Sequence, residues 1–138
     1  MNDKAVSIGM TKSVFADPSG ASAGNVSTVD DLFMLAKYIY NNRSFVFNIS
    51  SGRLQNSAYG KSYWSNLENL NDFADDSSFF GGKVGKTAAA EETGLYVFKL
   101  PIGGGERPVV IIVLGSNNRK SDAEAILGFI KSSYQLGN

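Results

Sequence analysis

Six apolar residues stand in a row at 109–114, Val-Val-Ile-Ile-Val-Leu, and this run constrains the fold more than any other stretch. It is far too short for a bilayer-crossing helix, which needs about 20 apolar residues. β-Branched side chains dominate it, which favours a strand. Because neighbouring residues of a strand point to opposite faces, both sides of its sheet must be covered. Two more β-type runs precede it: "FFGGKVGKT" at 79–87 and "TGLYVFKL" at 93–100. The segment Pro101-Ile102-Gly103-Gly104-Gly105 joins the last two as a hairpin connection. The three runs therefore predict an antiparallel meander.

Helical patterns flank that sheet. Ser121-Asp122-Ala123-Glu124 reads as a capping box, opening a final helix with Ile126, Phe129, Ile130 and Tyr134 as its core stripe. Residues 1–10 read as the end of a helix, with Ala5 and Ile8 on one side, and the loop that follows is punctuated by Pro18, Gly20 and Gly24. Thr28 can cap a second helix whose first turn carries Asp30 and Asp31, where the helix dipole favours negative charge. Leu32, Leu35, Ala36 and Ile39 then recur at helical spacing. "SFVFNIS" at 44–50 reads as a short strand ended by Ser51-Gly52, and another strand is expected near Ala58 to Trp64, before a long loop. The predicted class is α+β, an antiparallel sheet with helices on its faces, in one domain of 138 residues.

Composition removes several functions. Lys plus Arg equals Asp plus Glu at 13 each, and no stretch gathers basic residues with interleaved aromatics, so nucleic acid is not an expected partner. The chain has neither Cys nor His. Thiolate chemistry, the usual zinc sites and a Ser-His-Asp base are thereby gone, and no metal or cofactor is expected. Nucleophilic chemistry is left to Ser, Thr or Lys. Asp75-Asp76 and Glu91-Glu92 are adjacent carboxylates, which do not face each other in a strand or helix. Tyr59, Tyr63, Trp64, Phe79 and Phe80 read as packing aromatics rather than as a ligand platform.

"GGKVGKT" at 81–87 invites two readings. A phosphate-binding loop of the G-x-x-x-x-G-K-[ST] type needs a glycine five residues before Gly85, where Phe80 stands. Such a loop also opens a helix, whereas "TAAAEETGLYV" is broken by Gly94. The alternative is a strand that carries a lysine into a different kind of site.

That strand resembles the Lys-Thr-Gly strand of the penicillin-recognising serine enzymes, in particular the low-molecular-weight penicillin-binding proteins that are D-alanyl-D-alanine carboxypeptidases. The stretch "MNDKAVSIGMTKSVFADPSGASAGNVSTVDDLFMLAKYI" is similar to the family's Met-Asn-x-Lys-Ala helix end, Leu/Ile-Gly-Met turn, Phe-x-Asp-Pro-x-Gly loop, Asn, and Ser-Thr and Asp-Leu positions, here Ser27-Thr28 and Asp31-Leu32. "VVIIVLGSNNRKSDAEAILGFI" is similar to its last strand and C-terminal helix. The resemblance covers almost the whole chain and is weakest over 44–76.

The resemblance implies that residues 1–138 are the C-terminal portion of a penicillin-binding catalytic domain. It implies serine-type acyl transfer on peptidoglycan pentapeptides, with β-lactams as the other ligand class, outside the cytoplasmic membrane. Lys83 matches the motif lysine, which helps bind the substrate's terminal carboxylate, and Gly85 the glycine that admits substrate backbone. The Lys86 backbone N–H matches an oxyanion-hole donor, the kind of group worth about 3 kcal/mol at the transition state. Thr87 matches a hydroxyl that often follows the motif. Val84 departs from the Thr or Ser of the pattern. The hydroxyl it lacks would have bonded the carboxylate, an interaction worth about 1.5–3 kcal/mol.

The family's nucleophilic motif, S-x-x-K, does not occur in this sequence. Ser116-Asn117-Asn118 spells the second motif, S-x-N, but it follows the lysine strand instead of preceding it, and it reads as a turn into the last helix. The chain is therefore expected to be inactive alone and to carry an apolar surface where the remainder of the domain packs, through which it could associate. A non-catalytic relative that binds cell-wall peptide or a protein partner is the alternative. A class A β-lactamase fits the "DPSG" and "ST" pattern less well.

Overall fold

The structure, a computed structural model, describes residues 1–53 and 68–134. Its elements run α1 (Asn2–Ser7), α2 (Val29–Asn42), α3 (Phe45–Ser50), β1 (Phe79–Thr87), β2 (Glu91–Ile102), β3 (Gly105–Ser116) and α4 (Arg119–Ser133). The three strands form one antiparallel sheet in the order β1-β2-β3, the expected meander. The β2–β3 turn is closed by Gly103 and Gly104 at φ +63° and +78°. Positive φ at both central residues is what a tight hairpin matching the strand twist needs, and glycine reaches it without strain.

Helices cover both faces, as the run at 109–114 demands. On one side α4 seals a cluster of Phe73, Phe79, Tyr96, Phe98, Leu100, Ile111, Val113, Ala123 and Leu127. On the other, α2 and α3 pack Ala36 and Phe47 onto Val97, with Ile39, Tyr40, Phe80, Leu95 and Val110 around them. A register shift at Phe79/Gly81 accompanies the division of two consecutive phenylalanines, Phe79 to the first cluster and Phe80 to the second.

The N-terminal half is organised by polar groups. The Thr28 hydroxyl accepts the Asp31 N–H at 3.2 Å, as the capping argument requires. Asp31 itself is only 4% exposed. Its carboxylate accepts the Lys12 N–H at 2.8 Å and the Ser13 hydroxyl at 2.6 Å, which compensates its burial. In the loop, Asp17 accepts from Ser19 and Asn25, and those bonds lower its pKa to about 2.

Three expectations need correction. "SFVFNIS" is helix α3, not a strand: Phe47 packs on Val97 and Phe80, and tertiary contact overrides the β propensity of Phe, Val and Ile. Helix α4 begins at Arg119, capped by Asn118, whose side-chain oxygen accepts the Ser121 N–H at 3.0 Å; Ser121 is thus the third helical residue and not the cap. Its core stripe is Ala123, Leu127 and Ile130. Phe129 and Tyr134 lie 68% and 56% exposed and Ile126 40%, leaving Ile130 alone of the expected four against the core. The strand expected near Ala58 to Trp64 lies outside the described residues.

Candidate functional site

Residues Lys83 to Thr87 lie within β1, and the next element is an antiparallel strand. The phosphate-loop reading therefore lacks both its loop and its helix. β1 is an outer strand among the described residues, so one edge of its backbone is not paired within this sheet, the arrangement used when an extended peptide adds to a sheet.

Both ends of the strand are fixed. At the start, the Gly82 N–H donates to the Ser50 hydroxyl at 3.0 Å, and the Asn71 amide donates to the Ser50 carbonyl at 3.0 Å. Gly81, at φ +153°, lies against α3: a Cβ there would fall 2.6 Å from the Phe47 carbonyl oxygen. Only glycine permits that approach. At the far end, Thr87 pairs with Glu91, and the turn between them is closed by the Ala90 N–H donating to the Thr87 hydroxyl at 3.0 Å.

The register pairs Lys83 with Leu95, Val84 with Gly94, Gly85 with Thr93 and Lys86 with Glu92. Alternation then sets the side chains. Val84 packs against the α4-side cluster, so its methyl groups contribute to the core. Lys83 is exposed and its ammonium donates to the Val84 carbonyl. Gly85 has its own packing constraint, since a Cβ would sit 3.3 Å from the Thr93 hydroxyl. The Thr87 hydroxyl oxygen accepts the Ala90 N–H of the turn, which leaves its O–H proton able to donate to a ligand.

Lys86 leads into a charged chain that sequence reasoning missed. Its ammonium donates to Glu92 at 3.0 Å, and the other Glu92 oxygen accepts the Arg119 backbone N–H at 3.1 Å. The Arg119 guanidinium meets Asp72 in a two-pronged contact at 2.8 and 3.1 Å, and Asp72 also accepts the Tyr96 hydroxyl at 2.5 Å. The Lys86 hydrogen bond, followed by the Arg119 N–H, holds the Glu92 carboxyl below its ordinary pKa. Burial, then the bond to Asp72, raises that of Tyr96. Arg119 is raised because Asp72 outweighs the opposing effect of burial. The signal lay in the Glu91-Glu92 pair: as adjacent strand residues they point to opposite faces, and Glu92 is the one turned toward Lys86 and Arg119.

Ser116 is 6% exposed, donates to Asp122 at 2.6 Å and accepts the Asn118 N–H at 2.9 Å. It ties the end of β3 to the start of α4, as the turn reading requires, and has no basic side chain as hydrogen-bond partner among the described residues. Among the described residues no group of Asp and Glu is arranged to hold a metal ion.

Comparison with known proteins gives a consistent result. No family model matches the chain. Over 96 residues it is 35% identical to a D-alanyl-D-alanine endopeptidase of Haemophilus influenzae, an overlap of 68% of this chain and 31% of that protein. Two solved structures from Mycobacterium tuberculosis share its fold. A D-alanyl-D-alanine carboxypeptidase superposes with a TM-score of 0.63 at 22% identity, covering 99% of this chain and 55% of its own. An evolved penicillin-binding protein homologue gives 0.62 at 23% identity, covering 94% and 52%. The chain thus spans about a third of the curated relative and about half of each solved structure.

Proposed function

On the premise that this chain is a relative of the D-alanyl-D-alanine peptidases with part of the penicillin-binding-protein fold, we propose that it supplies the substrate-strand portion of such a peptidase. In that reading β1 receives an extended peptide ending in D-Ala-D-Ala, or a β-lactam, along the edge that no strand among the described residues pairs with. The observation that carries it is the placement of "KVGKT" on an outer strand with Lys83 exposed. Lys83 attracts the terminal carboxylate, Gly85 lets peptide backbone approach, and the Lys86 N–H is the donor to the scissile carbonyl oxygen. With the Val84 methyl groups packed inward, recognition of the carboxylate rests on Lys83 and on the Thr87 O–H, which can still donate while its oxygen accepts the Ala90 N–H.

The nucleophile comes from outside these 138 residues, because the sequence holds no S-x-x-K and Ser116 is committed to a structural turn. Exposed Leu114, Ile126 and Phe129 support a covering segment. The site of action is outside the cytoplasmic membrane, where peptidoglycan lies. Intact-mass measurement after incubation with a penicillin should show no adduct. In parallel, acyl-D-Ala-D-Ala titrated into the labelled chain should shift amide resonances of residues 83–87. A stoichiometric penicilloyl adduct would refute the external nucleophile, and unshifted resonances at millimolar peptide would refute the peptide strand.

A peptide-binding relative without turnover is the second reading. What favours it is Val84: its side chain serves the core, where the family pattern has a hydroxyl.

A further inference from the structure

We propose that Glu92 is a positioning residue for the β1 edge, clamping the β1–β2 hairpin to the first turn of α4 so that Lys86 is held in one orientation. The inference rests on the peptide-strand reading for its purpose, but its geometry stands alone. Glu92 faces Lys86 directly across the sheet. One carboxylate oxygen takes the Lys86 ammonium at 3.0 Å, and the other takes the backbone N–H of Arg119 at 3.1 Å with the Arg119 guanidinium 3.6 Å away. Arg119 opens α4, so the carboxylate also sits at the positive end of that helix dipole.

The clamp has an anchored far side. Arg119 and Asp72 side chains are 16% and 15% exposed, and their two-pronged contact is oriented by the Tyr96 hydroxyl, whose ring lies fully buried in the core. Rigidity therefore passes from Tyr96 through Asp72, Arg119 and Glu92 to Lys86. The hairpin needs holding there: Glu91, immediately before Glu92, has φ +54°, a left-handed conformation that non-glycine residues adopt at a cost.

Two consequences follow for the edge. The Lys86 ammonium is paired with Glu92, although its side chain is 70% exposed, so Lys83 is the cation of the 83–87 segment with no carboxylate partner among the described residues. The Lys86 backbone is also fixed before any ligand arrives, which lowers the ordering cost of binding.

The test is an NMR pH titration of the 138-residue chain and of its Glu92→Gln variant, following Lys86, Arg119 and, as an internal control, Val97. In the native chain the Lys86 and Arg119 amides should shift together with one midpoint below the ordinary glutamate value of 4.5. That shared transition should vanish in Glu92→Gln, with line broadening at 83–87 and none at Val97. Independent midpoints for the two amides, or an unaltered shared transition in the variant, would overturn the clamp. Acyl-D-Ala-D-Ala is then titrated into both proteins at neutral pH. A dissociation constant at least threefold weaker in the variant supports positioning, and equal or tighter binding overturns it. A shared titration with no peptide binding to either protein would overturn the peptide-strand reading and the purpose drawn from it, leaving only a structural clamp.

Discussion

Among the described residues, the sheet buries a cluster of nine side chains under α4, four of them the aromatic rings of Phe73, Phe79, Tyr96 and Phe98, whereas beneath α2 and α3 the buried set is Ala36, Phe47 and Val97. The rings on the deep side meet edge to face, Phe73 lying 5.0 Å from Tyr96 and 5.2 Å from Phe98, a geometry that adds directional attraction to burial. The thinner side compensates with polar ties from Ser50 and Asn71 to Gly82. The deep face sets the sheet's register and stability, and the thin face adjusts the start of β1. The candidate site lies where both act on one strand.

The largest effect should separate the faces. Phe98→Ala removes a fully buried ring from the deep side and is expected to cost about 4–5 kcal/mol, against about 3 kcal/mol for Phe47→Ala. Urea midpoints at unchanged slope would measure both, and equal costs would break the comparison. Gly81→Ala should cost about 1–3 kcal/mol, because the new methyl collides with the Phe47 backbone. Hydrogen exchange should localise the loosening to the Ser51 amide, which donates to the Phe47 carbonyl, while Ile111 stays protected. Spread of the effect into α4 would mean the two faces are not independent.

Acid sharpens the comparison further. Glu92 has a depressed pKa in the folded chain, so its stabilising contribution is fully present above the ordinary value of 4.5 and is lost as pH falls through the lower, folded value. Melting temperatures followed from pH 7 downward should therefore fall less steeply for Glu92→Gln than for the native chain at the acid end. Parallel profiles would show that the clamp adds nothing to folding. The smallest effect tests how α4 is seated on the deep face. Asn118→Ala should cost about 1 kcal/mol, and Ser121→Ala should stay within about 0.5 kcal/mol; the reverse order would restore Ser121 as the cap.

The sheet was legible because its signals are local. Gly103-Gly104 dictates a hairpin, and the uninterrupted apolar run at 109–114 announces cover on both faces. Thr28 showed the start of α2 for the same reason. Helix α3 was not legible, since Phe45 to Ile49 carries strand-like side chains and becomes helical through contact with Val97 and Phe80, residues distant in sequence. The start of α4 was misjudged because Ser121-x-x-Glu124 offers a cap as plausible in sequence as Asn118, and its stripe because Ala123, Leu127 and Ile130 recur at the same helical spacing as Ile126, Phe129 and Ile130. At the site, Lys83, Val84, Gly85, Lys86 and Thr87 were readable as a group from one motif. Their engagements were not: that Val84 faces the core, that the Thr87 oxygen holds a turn and that Glu92 reaches Arg119 all depend on register and on α4.

The glycine turn at 103–104 offers a vantage point on the strand it never touches. It closes the end of β2 opposite to the Lys86–Glu92 pair, ten residues or roughly 33 Å along the strand. Apart from its two chain neighbours, no atom of the described residues lies within 4 Å of where a side chain on Gly105 would begin, and the sequence contains no cysteine. A single thiol introduced as Gly105→Cys would therefore accept a fluorophore or a surface tether at one defined place, and the arrival of a labelled peptide at β1 could be timed by energy transfer without disturbing the strand that receives it.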